Sequence, residues 1–296
     1  MKRMRIAGLC LVAVCAMFAV AATSSFAVEG SLEFGKCIKV PEGTGAFKNS
    51  GCTKFAGAAT TEQKFNWSPL SGSTFKFTSA KKEATGNAVL ESSGGNSVSC
   101  TGLKQTVGEY GPGKDQVKNV VGEFSGCEGL GGKCSNEGKA AGFVNTTKLK
   151  GELGVVTKNA TNEEKNIDGS DLVGEASEFL AEFTCAGLPV LTKRGIVVKV
   201  GAIVNGVFKS NSNKMLSKSN VEFKAAPGAK QEPEVWTPQG TGISHTEKTT
   251  ITEHLEAKFG PSPAPYEASS ESLFVVQKSN PTTAKLEVRN CKQNVC

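Results

Sequence analysis

Two histidines are the first residues of this chain whose side chains could do acid–base or metal chemistry. His245 and His254 are the only histidines in 296 residues, and their numbers differ by nine. An odd separation on one continuous strand places two side chains on opposite faces, so the pair could share a metal only across a turn. Glu253 and Glu256 lie beside His254, and a histidine on such a polar face is typically solvated. General acid–base catalysis would also require a positioned partner and a pocket.

Two serine–lysine pairs have the spacing found in penicillin-recognising enzymes. They are Ser73-x-x-Lys76 and Ser79-x-x-Lys82. Neither companion motif of those enzymes occurs, and the segment alternates like a strand where that chemistry needs a helix. We interpret both pairs as chance matches. The chain has no Gly-x-Ser-x-Gly elbow, whereas a Ser-His-Asp triad is recognised by geometry and stays open as an alternative.

Carboxylate pairs are a third candidate, because two acids at a suitable separation can hydrolyse a glycosidic bond. Glu163, Glu164, Asp168 and Asp171 lie close together in a polar, turn-rich stretch. The composition of that stretch predicts a solvated loop. A calcium-binding loop is the second interpretation, although the stretch lacks the Asp-x-Asp-x-Asn-Gly spacing of a known calcium motif.

The two tryptophans, Trp67 and Trp236, are the best candidates for a ligand-binding site. Each is followed two residues later by a proline, which predicts a turn beside the ring. An exposed aromatic ring on a β scaffold can stack against the apolar face of a sugar. The alternative is that the rings are buried and close one end of a β-sandwich, since large aromatic side chains are mostly buried.

Cysteine usage predicts a disulfide framework, because eight of the ten cysteines lie beyond residue 27 and an even number in an exported chain typically pairs. The eight are Cys37, Cys52, Cys100, Cys127, Cys134, Cys185, Cys291 and Cys296. The sequence alone does not define the pairing. Short separations favour three local bridges, and Cys100 and Cys185 then remain to close the longest loop. These local bridges are Cys37–Cys52, Cys127–Cys134 and Cys291–Cys296. Zinc is the alternative, but the chain has no Cys-x-x-Cys pair, so we predict neither a metal nor a cofactor.

The first 27 residues have the organisation of a signal peptide. Three basic residues within the first five precede an apolar run over residues 6–22, and a small-residue site follows at 25–27. This order predicts export and cleavage before Val28. An uncleaved N-terminal anchor is the alternative, because the run is only slightly shorter than the roughly 20 residues of a spanning helix. No later segment is long and apolar enough to span a membrane.

The charge pattern argues against nucleic acid as a partner. The formal net charge is +6. Since three of the basic residues and no acidic ones belong to the leader, the mature chain keeps a formal charge of +3 out of the +6, with lysine and glutamate interspersed. A nucleic-acid groove would need a dense basic surface with interleaved aromatic residues. Cell-wall polysaccharide or an extracellular protein fits this composition better as a partner.

Alternation of apolar and polar residues predicts an all-β fold. Apolar side chains recur with period two around Phe75, between Val120 and Phe124, and again from Phe143 to Val155. Glycine-, asparagine- and proline-rich turns separate these runs. Many short strands punctuated in this way are typical of a disulfide-stapled β-sandwich or barrel-like domain. The stretch over residues 170–185 fits a helical pattern as well, and we favour strand because apolar residues alternate towards its end.

The chain divides into four predicted segments. Residues 1–27 form the signal peptide, and residues 28–70 form a small module around Cys37 and Cys52. Residues 71–210 form the main β domain. Residues 211–296 form a C-terminal β segment, which either completes the main sheet or stands alone.

Several short motifs resemble a recurrent pattern in exported, cysteine-containing, β-rich proteins of actinobacteria. The motifs are FGKCIKV (34–40), GCTK (51–54), VSCTG (98–102), FSGCE (124–128) with Cys134 nearby, LKGELG (149–154) and EFTC (182–185). Glycines and cysteines carry most of the matching. The resemblance implies secretion and a disulfide-stapled β fold, and it implies no activity and no functional residues.

Three functions are compatible with these features. The first is a non-enzymatic exported protein that binds or structures the cell envelope or binds an extracellular ligand, and the absence of motifs favours it. The second is a secreted hydrolase with a dispersed catalytic set, which predicts a concave pocket with a perturbed acid or histidine. The third is an extracellular inhibitor or partner-binding protein, which predicts a protruding loop braced by a disulfide over residues 126–134.

Overall fold

The computed structural model describes residues 31–58, 60–70, 75–83, 85–161, 165–204, 207–210, 218–239, 249–280 and 285–291. Regular secondary structure in the described part is nearly all β, with 62% strand and 1% helix, so the prediction of an all-β, disulfide-stapled fold is confirmed. A 3-10 turn at Thr60–Glu62 is the one helical element among these residues. The predicted signal peptide lies outside the described residues.

The strands are numbered β1 to β22 in chain order. They are β1 (Ser31–Lys39), β2 (Phe65–Pro69), β3 (Phe75–Lys81), β4 (Ala88–Ser92), β5 (Ser97–Tyr110), β6 (Gln116–Gly129), β7 (Gly132–Ser135), β8 (Phe143–Asn145), β9 (Leu149–Thr157), β10 (Ile167–Gly174), β11 (Phe179–Cys185), β12 (Leu188–Lys193), β13 (Ile196–Val204), β14 (Val207–Ser210), β15 (Lys218–Phe223), β16 (Ala225–Ala226), β17 (Lys230–Gln231), β18 (Val235–Pro238), β19 (Ile251–Thr252), β20 (Glu256–Phe259), β21 (Glu267–Asn280) and β22 (Glu287–Cys291).

Antiparallel pairing closes the largest group of strands into a barrel. Going round it, β21 pairs with both β3 and β4, and these pair with β5. The ring continues through β6, β9, β10 and β13 to β15, which pairs with the other edge of β21. β3 and β4 pair with successive parts of the same edge of β21, so together they count as one strand of the ring. The ring therefore has about eight strands, the size at which a barrel interior is either filled by side chains or holds one small ligand.

Two smaller sheets of three or more strands accompany the ring, besides the two-stranded pair of β16 and β17. In the first, β7, β11, β12 and β20 pair in that order, and β20 leads back to β21. In the second, β1 lies between β2 and β22. Phe34 on β1 packs against Tyr110 at the end of β5, with ring centroids 4.8 Å apart. Both sheets therefore contact the barrel.

The C-terminal segment forms strands within the same sheets. β15 and β21 complete the barrel, β18 pairs with β9, and β22 adds to the N-terminal sheet. Arg289 on β22 is 4% exposed, and its guanidinium donates a hydrogen bond to the Cys52 carbonyl at 3.0 Å. The chain beyond residue 210 is thus hydrogen-bonded both to the barrel and to the Cys37/Cys52 module.

Two stretches clarify how well periodicity predicted local structure. Within residues 170–185, positions 170–174 belong to β10 and positions 179–185 to β11, with a bend at 175–178 between them, so strand is correct here and helix is not. Apolar and polar residues also alternate over residues 251–259, where the structure has β19 and β20 with a break between them. The break includes Leu255, which is 4% exposed and contributes to the core.

The Cys37–Cys52 bridge is present as predicted. Cys291 is also disulfide-bonded, while Cys296 lies outside the described residues and so does the predicted Cys291–Cys296 pair.

The predicted pairing of the four central cysteines is wrong. Cys100 is bonded to Cys127, and Cys134 to Cys185. Each bridge joins residues directly opposite one another on neighbouring strands. The predicted Cys100–Cys185 bond would have to cross β6 and β7, a distance of about 14 Å at ordinary strand spacing, whereas a disulfide needs Cα atoms within about 7 Å. Long hairpins bring distant cysteines into register, so separation along the chain was a poor guide.

Among the described residues, no helix has the length and apolar composition needed to cross a membrane.

Candidate functional site

A cavity of about 160 Å³ lies inside the barrel. Strands from the whole ring line it, and so do β1 of the N-terminal sheet and β11 and β12 of the other small sheet. Most of its wall is apolar, with large side chains such as Phe77, Leu149, Leu172, Phe183, Val198 and Val221. An apolar cavity of about 150 Å³ in another protein stays dry and takes up benzene. This interior therefore has room for one small apolar molecule.

Strand alternation explains which side chains line the cavity. On β13, Ile196, Val198 and Val200 all line it, because every second residue of a strand points to the same face. On β21 the same period selects Glu271, Leu273, Val275 and Gln277. The inward face of β21 thus carries two apolar residues between two polar ones.

Glu271 is the chemically distinctive residue of the cavity. Among the described residues that line it, Glu271 is the only charged side chain. It keeps some accessible surface, yet burial raises the pKa of its carboxyl from 4.5 to about 7. These two facts agree because the accessible surface of Glu271 faces the cavity that it lines. A carboxyl in apolar surroundings holds its proton to higher pH because ionisation is penalised by lost hydration.

The backbone of Glu271 is held by Gln231 on β17. Glu271 N–H donates to Gln231 Oε1 at 2.8 Å, and Gln231 Nε2 donates to the Glu271 carbonyl at 3.2 Å and to the Lys224 carbonyl at 3.1 Å. Gln231 is 3% exposed. One buried amide therefore satisfies both backbone groups of the residue that carries the cavity's carboxyl.

Replacing Gln231 by alanine is expected to lower the free energy of unfolding by about 2 kcal/mol, because buried backbone groups lose their partners. Chemical denaturation measures the change. Gln63→Ala is the matched control, since Gln63 makes its hydrogen bond to Gly57 at the exposed surface, and a change below about 0.5 kcal/mol is expected there. Equal losses in the two variants would contradict the positioning role of Gln231.

A second depression lies beside Gly195, where two carboxyl groups approach each other. Asp171 Oδ1 and Glu253 Oε2 lie 2.7 and 2.9 Å from the position that a Cβ on Gly195 would take. Asp171 is 2% exposed, and burial, followed by the charges of Glu253 and Glu152, raises its pKa well above the ordinary value. Glu253 lines the depression together with Arg194.

The predicted solvated loop around Asp168 and Asp171 is wrong for these two residues. Both lie on β10 and are 0% and 2% exposed, because β9 and β13 pair with the two edges of that strand. Glu163 and Glu164, predicted with them, lie outside the described residues. No cluster of three or more histidine, cysteine or acidic residues in the described ranges is arranged to hold a metal ion.

The structure buries Trp236 and covers part of Trp67. Trp236 is 1% exposed, and its ring covers Gly154, where any Cβ would overlap it. Trp67 is half-buried, and the guanidinium of Arg289 lies over its ring at 4.3 Å. Trp67 also packs on Gly35. These contacts match the alternative in which the rings serve packing.

The other residues singled out in the sequence are not brought together. His254 Nδ1 lies 3.4 Å from Glu234 Oε1 on an imidazole that is half exposed, while His245 is outside the described residues. Ser79 lies on β3 and faces the cavity. Lys82 follows that strand, with its ammonium 4.8 Å from the ring centroid of Phe274.

The other predicted pair, Ser73 and Lys76, cannot be compared with the structure, because Ser73 lies outside the described residues. Lys76 lies on β3, so this stretch is a strand, as its alternation predicted.

The loop over residues 126–134 is not braced by a bridge of its own. It is the β6–β7 hairpin, which turns at Leu130 and Gly131 with positive φ angles of 51° and 85°. Cys127 and Cys134 are both 0% exposed and bonded to other strands. The predicted Cys127–Cys134 bridge across this hairpin is therefore wrong, and its two cysteines are bonded to β5 and β11 instead.

Sequence reasoning did not single out Glu271 or Gln231. The one weak signal for Glu271 in the sequence was that Glu271, Leu273, Val275 and Gln277 occupy every second position of a predicted strand. The intervening positions include Phe274 and Val276, so the pattern did not tell which face of the strand is inside.

Comparison with known proteins does not assign this chain to a family. No family model matches the chain, and neither a curated protein nor a solved structure matches it. The resemblance to exported proteins of actinobacteria stays a prediction, and the function is argued from the cavity and the covalent framework.

Proposed function

We propose that this chain is an exported, non-enzymatic binding protein that holds one small apolar molecule inside its barrel. The observation that carries the proposal is the cavity of about 160 Å³ with its apolar wall. Burying apolar ligand surface there would gain roughly 25 cal/mol per Å² of area removed from water. Ligands of drug size need cavities of about 300 Å³ or more, so the ligand class is a molecule close to benzene in size.

The disulfide framework supports an extracellular place of action. Three bridges tie the described strands together, and such bonds form and persist in oxidising compartments. Export through the N-terminal segment, and attachment to cell-wall polysaccharide or to an extracellular protein, belong to this proposal. Fractionation of the native cells tests them: the mature chain is expected in the wall fraction or the medium, and recovery in the cytosol would contradict export.

Benzene is expected to stabilise the protein if the cavity binds apolar molecules. A ligand that binds only the native state at 100 times its Kd adds about 2.7 kcal/mol to the free energy of unfolding. Thermal unfolding with and without benzene measures this effect.

A matched pair of substitutions locates that binding. Val198→Phe places a larger ring in the cavity wall and is expected to abolish the stabilisation by benzene. Val235→Phe makes the same change at a position that is 45% exposed and is expected to leave it intact. Loss of the benzene effect in both variants, or in neither, would contradict binding inside the barrel.

A secreted hydrolase is the second candidate, and one observation favours it. Asp171 and Glu253 approach each other beside Gly195, in a depression that Arg194 also lines. The weakness of this candidate is that Asp171 is 2% exposed, whereas a catalytic acid must touch its substrate. If a glycan-hydrolysing activity is found, Glu253→Gln is expected to abolish it, and an unaffected variant would remove this site from consideration.

A further inference from the structure

The side chains that line the cavity distinguish ligands by their charge. In the part of the chain that the structure describes, no lysine, arginine or histidine lines the cavity, and Glu271 is its one acid. An anionic ligand would meet a carboxylate and no positive group. A cationic ligand would meet a carboxylate in surroundings of low dielectric constant, where opposite charges attract strongly.

The carboxyl of Glu271 has no internal counter-ion among the described residues. No ion pair or side-chain hydrogen bond from these residues reaches its oxygens, and burial alone shifts its pKa, to about 7. Removing one side of a buried ion pair leaves an uncompensated charge that is strongly destabilising. Above the pH at which Glu271 ionises, its carboxylate is a buried charge of this kind, and a positive group inside the cavity would compensate it.

The position of Glu271 is set before any ligand arrives. Its strand pairs with β4, where Glu271 lies opposite Leu90, and Gln231 holds the N–H and carbonyl groups of Glu271. The neighbouring inward residue, Leu273, is 7% exposed. Because the backbone that carries the carboxyl is already held, binding a ligand requires no further ordering of that backbone.

We propose that the cavity selects a small apolar molecule carrying one primary ammonium group, and that Glu271 is the counter-ion of that group. This inference rests on the proposed function and names its ligand class. The apolar body of the ligand would occupy the wall formed by the aliphatic and aromatic side chains, while the ammonium would donate hydrogen bonds to the carboxylate. Charge-assisted hydrogen bonds of this kind are about twice as strong as neutral ones.

Three probes of similar size test the proposal: toluene, benzyl alcohol and benzylamine. Their affinities for the full mature chain are measured at pH 8 by titration of the isotope-labelled protein, followed by nuclear magnetic resonance. We expect benzylamine to bind the unsubstituted protein about tenfold more tightly than benzyl alcohol does. In Glu271→Gln that preference is expected to fall below about threefold, while toluene binds as before.

Control variants separate the carboxyl from the fold. Glu91→Gln changes an exposed carboxyl on β4 and is expected to keep the preference for the amine. Glu271→Met retains a side chain of similar length and is expected to lose the preference as Glu271→Gln does. This second variant keeps the test decisive if the glutamine variant does not fold.

The outcomes distinguish the inference from the function on which it rests. Toluene binding without a preference for benzylamine, or a preference that survives both substitutions of Glu271, overturns the role of the carboxylate and leaves the binding function standing. Failure of all three probes to bind overturns both.

Discussion

Removing the Cys134–Cys185 bridge is expected to lower the free energy of unfolding by about 4 kcal/mol. The bond closes a segment with a sequence separation of 51 residues, and the chain-entropy model assigns a loop of that length about 4 kcal/mol of stabilisation through the unfolded state. Both cysteines are fully buried, so alanine is the replacement that introduces no polar group. Chemical denaturation of the double variant Cys134→Ala/Cys185→Ala gives the value.

The Cys37–Cys52 bridge provides the matched control. Its sequence separation is 15 residues, for which the same model gives about 3 kcal/mol. The order of the two losses is therefore the informative result. A smaller loss for Cys134→Ala/Cys185→Ala than for Cys37→Ala/Cys52→Ala would contradict the entropic account. Peptide mapping without reduction checks the connectivity directly, and recovery of a peptide joining Cys127 to Cys134 would contradict the structure.

Replacing Glu271 by glutamine is expected to stabilise the protein at pH 8 by about 2 kcal/mol. The pKa of this carboxyl rises from 4.5 in the free side chain to about 7 in the folded protein. Each pKa unit corresponds to about 1.4 kcal/mol, so ionising Glu271 costs roughly 3 kcal/mol once the pH exceeds 7. Glutamine removes that penalty but buries an amide, which reduces the gain.

The pH dependence identifies the source of this effect. Below pH 4.5 the carboxyl is protonated in both states and its full contribution to stability is present. As pH rises towards 7, the folded protein holds a proton that the unfolded chain has lost, so the free energy of unfolding falls. Denaturation curves from pH 4 to 8 should therefore show a shallower fall in Glu271→Gln than in the unsubstituted protein.

Two other buried acids prevent the slope from vanishing altogether. Burial also raises the pKa values of Asp115 and Asp171, and their contributions fall with rising pH in the same direction. Glu91→Gln is the control, because that carboxyl is exposed in the folded protein, and its curve should match the unsubstituted one. A Glu271→Gln curve that also matches would show that Glu271 is not buried as the structure has it.

Local patterns predicted the strands well because strand periodicity is a local property. Residues 179–185 could be assigned to a strand because Phe179, Ala181 and Phe183 recur at every second position, a pattern that requires no knowledge of the partner strands. The Cys37–Cys52 bridge was predictable for the same reason, since it closes a short segment. Each of these predictions depends only on residues within about 15 positions of one another.

Predictions that depended on strand neighbours failed. Asp168 and Asp171 were expected in a solvated loop because their stretch is polar, but β10 is paired on both edges and its acids are buried. The bridges of Cys100 and Cys134 were misassigned because their partners are determined by hairpin register. No local signal reports which strand lies next to which.

The amino-acid sequence by itself determined that this chain is built from strands and that its cysteines form a framework. Only the tertiary structure decided what lies inside. On β21 the two alternating sets of side chains have similar composition, and closure of the barrel turns Glu271, Leu273, Val275 and Gln277 inward. The physical reason is that pairing of β21 with β15 on one edge and with β3 and β4 on the other determines which of its faces is enclosed.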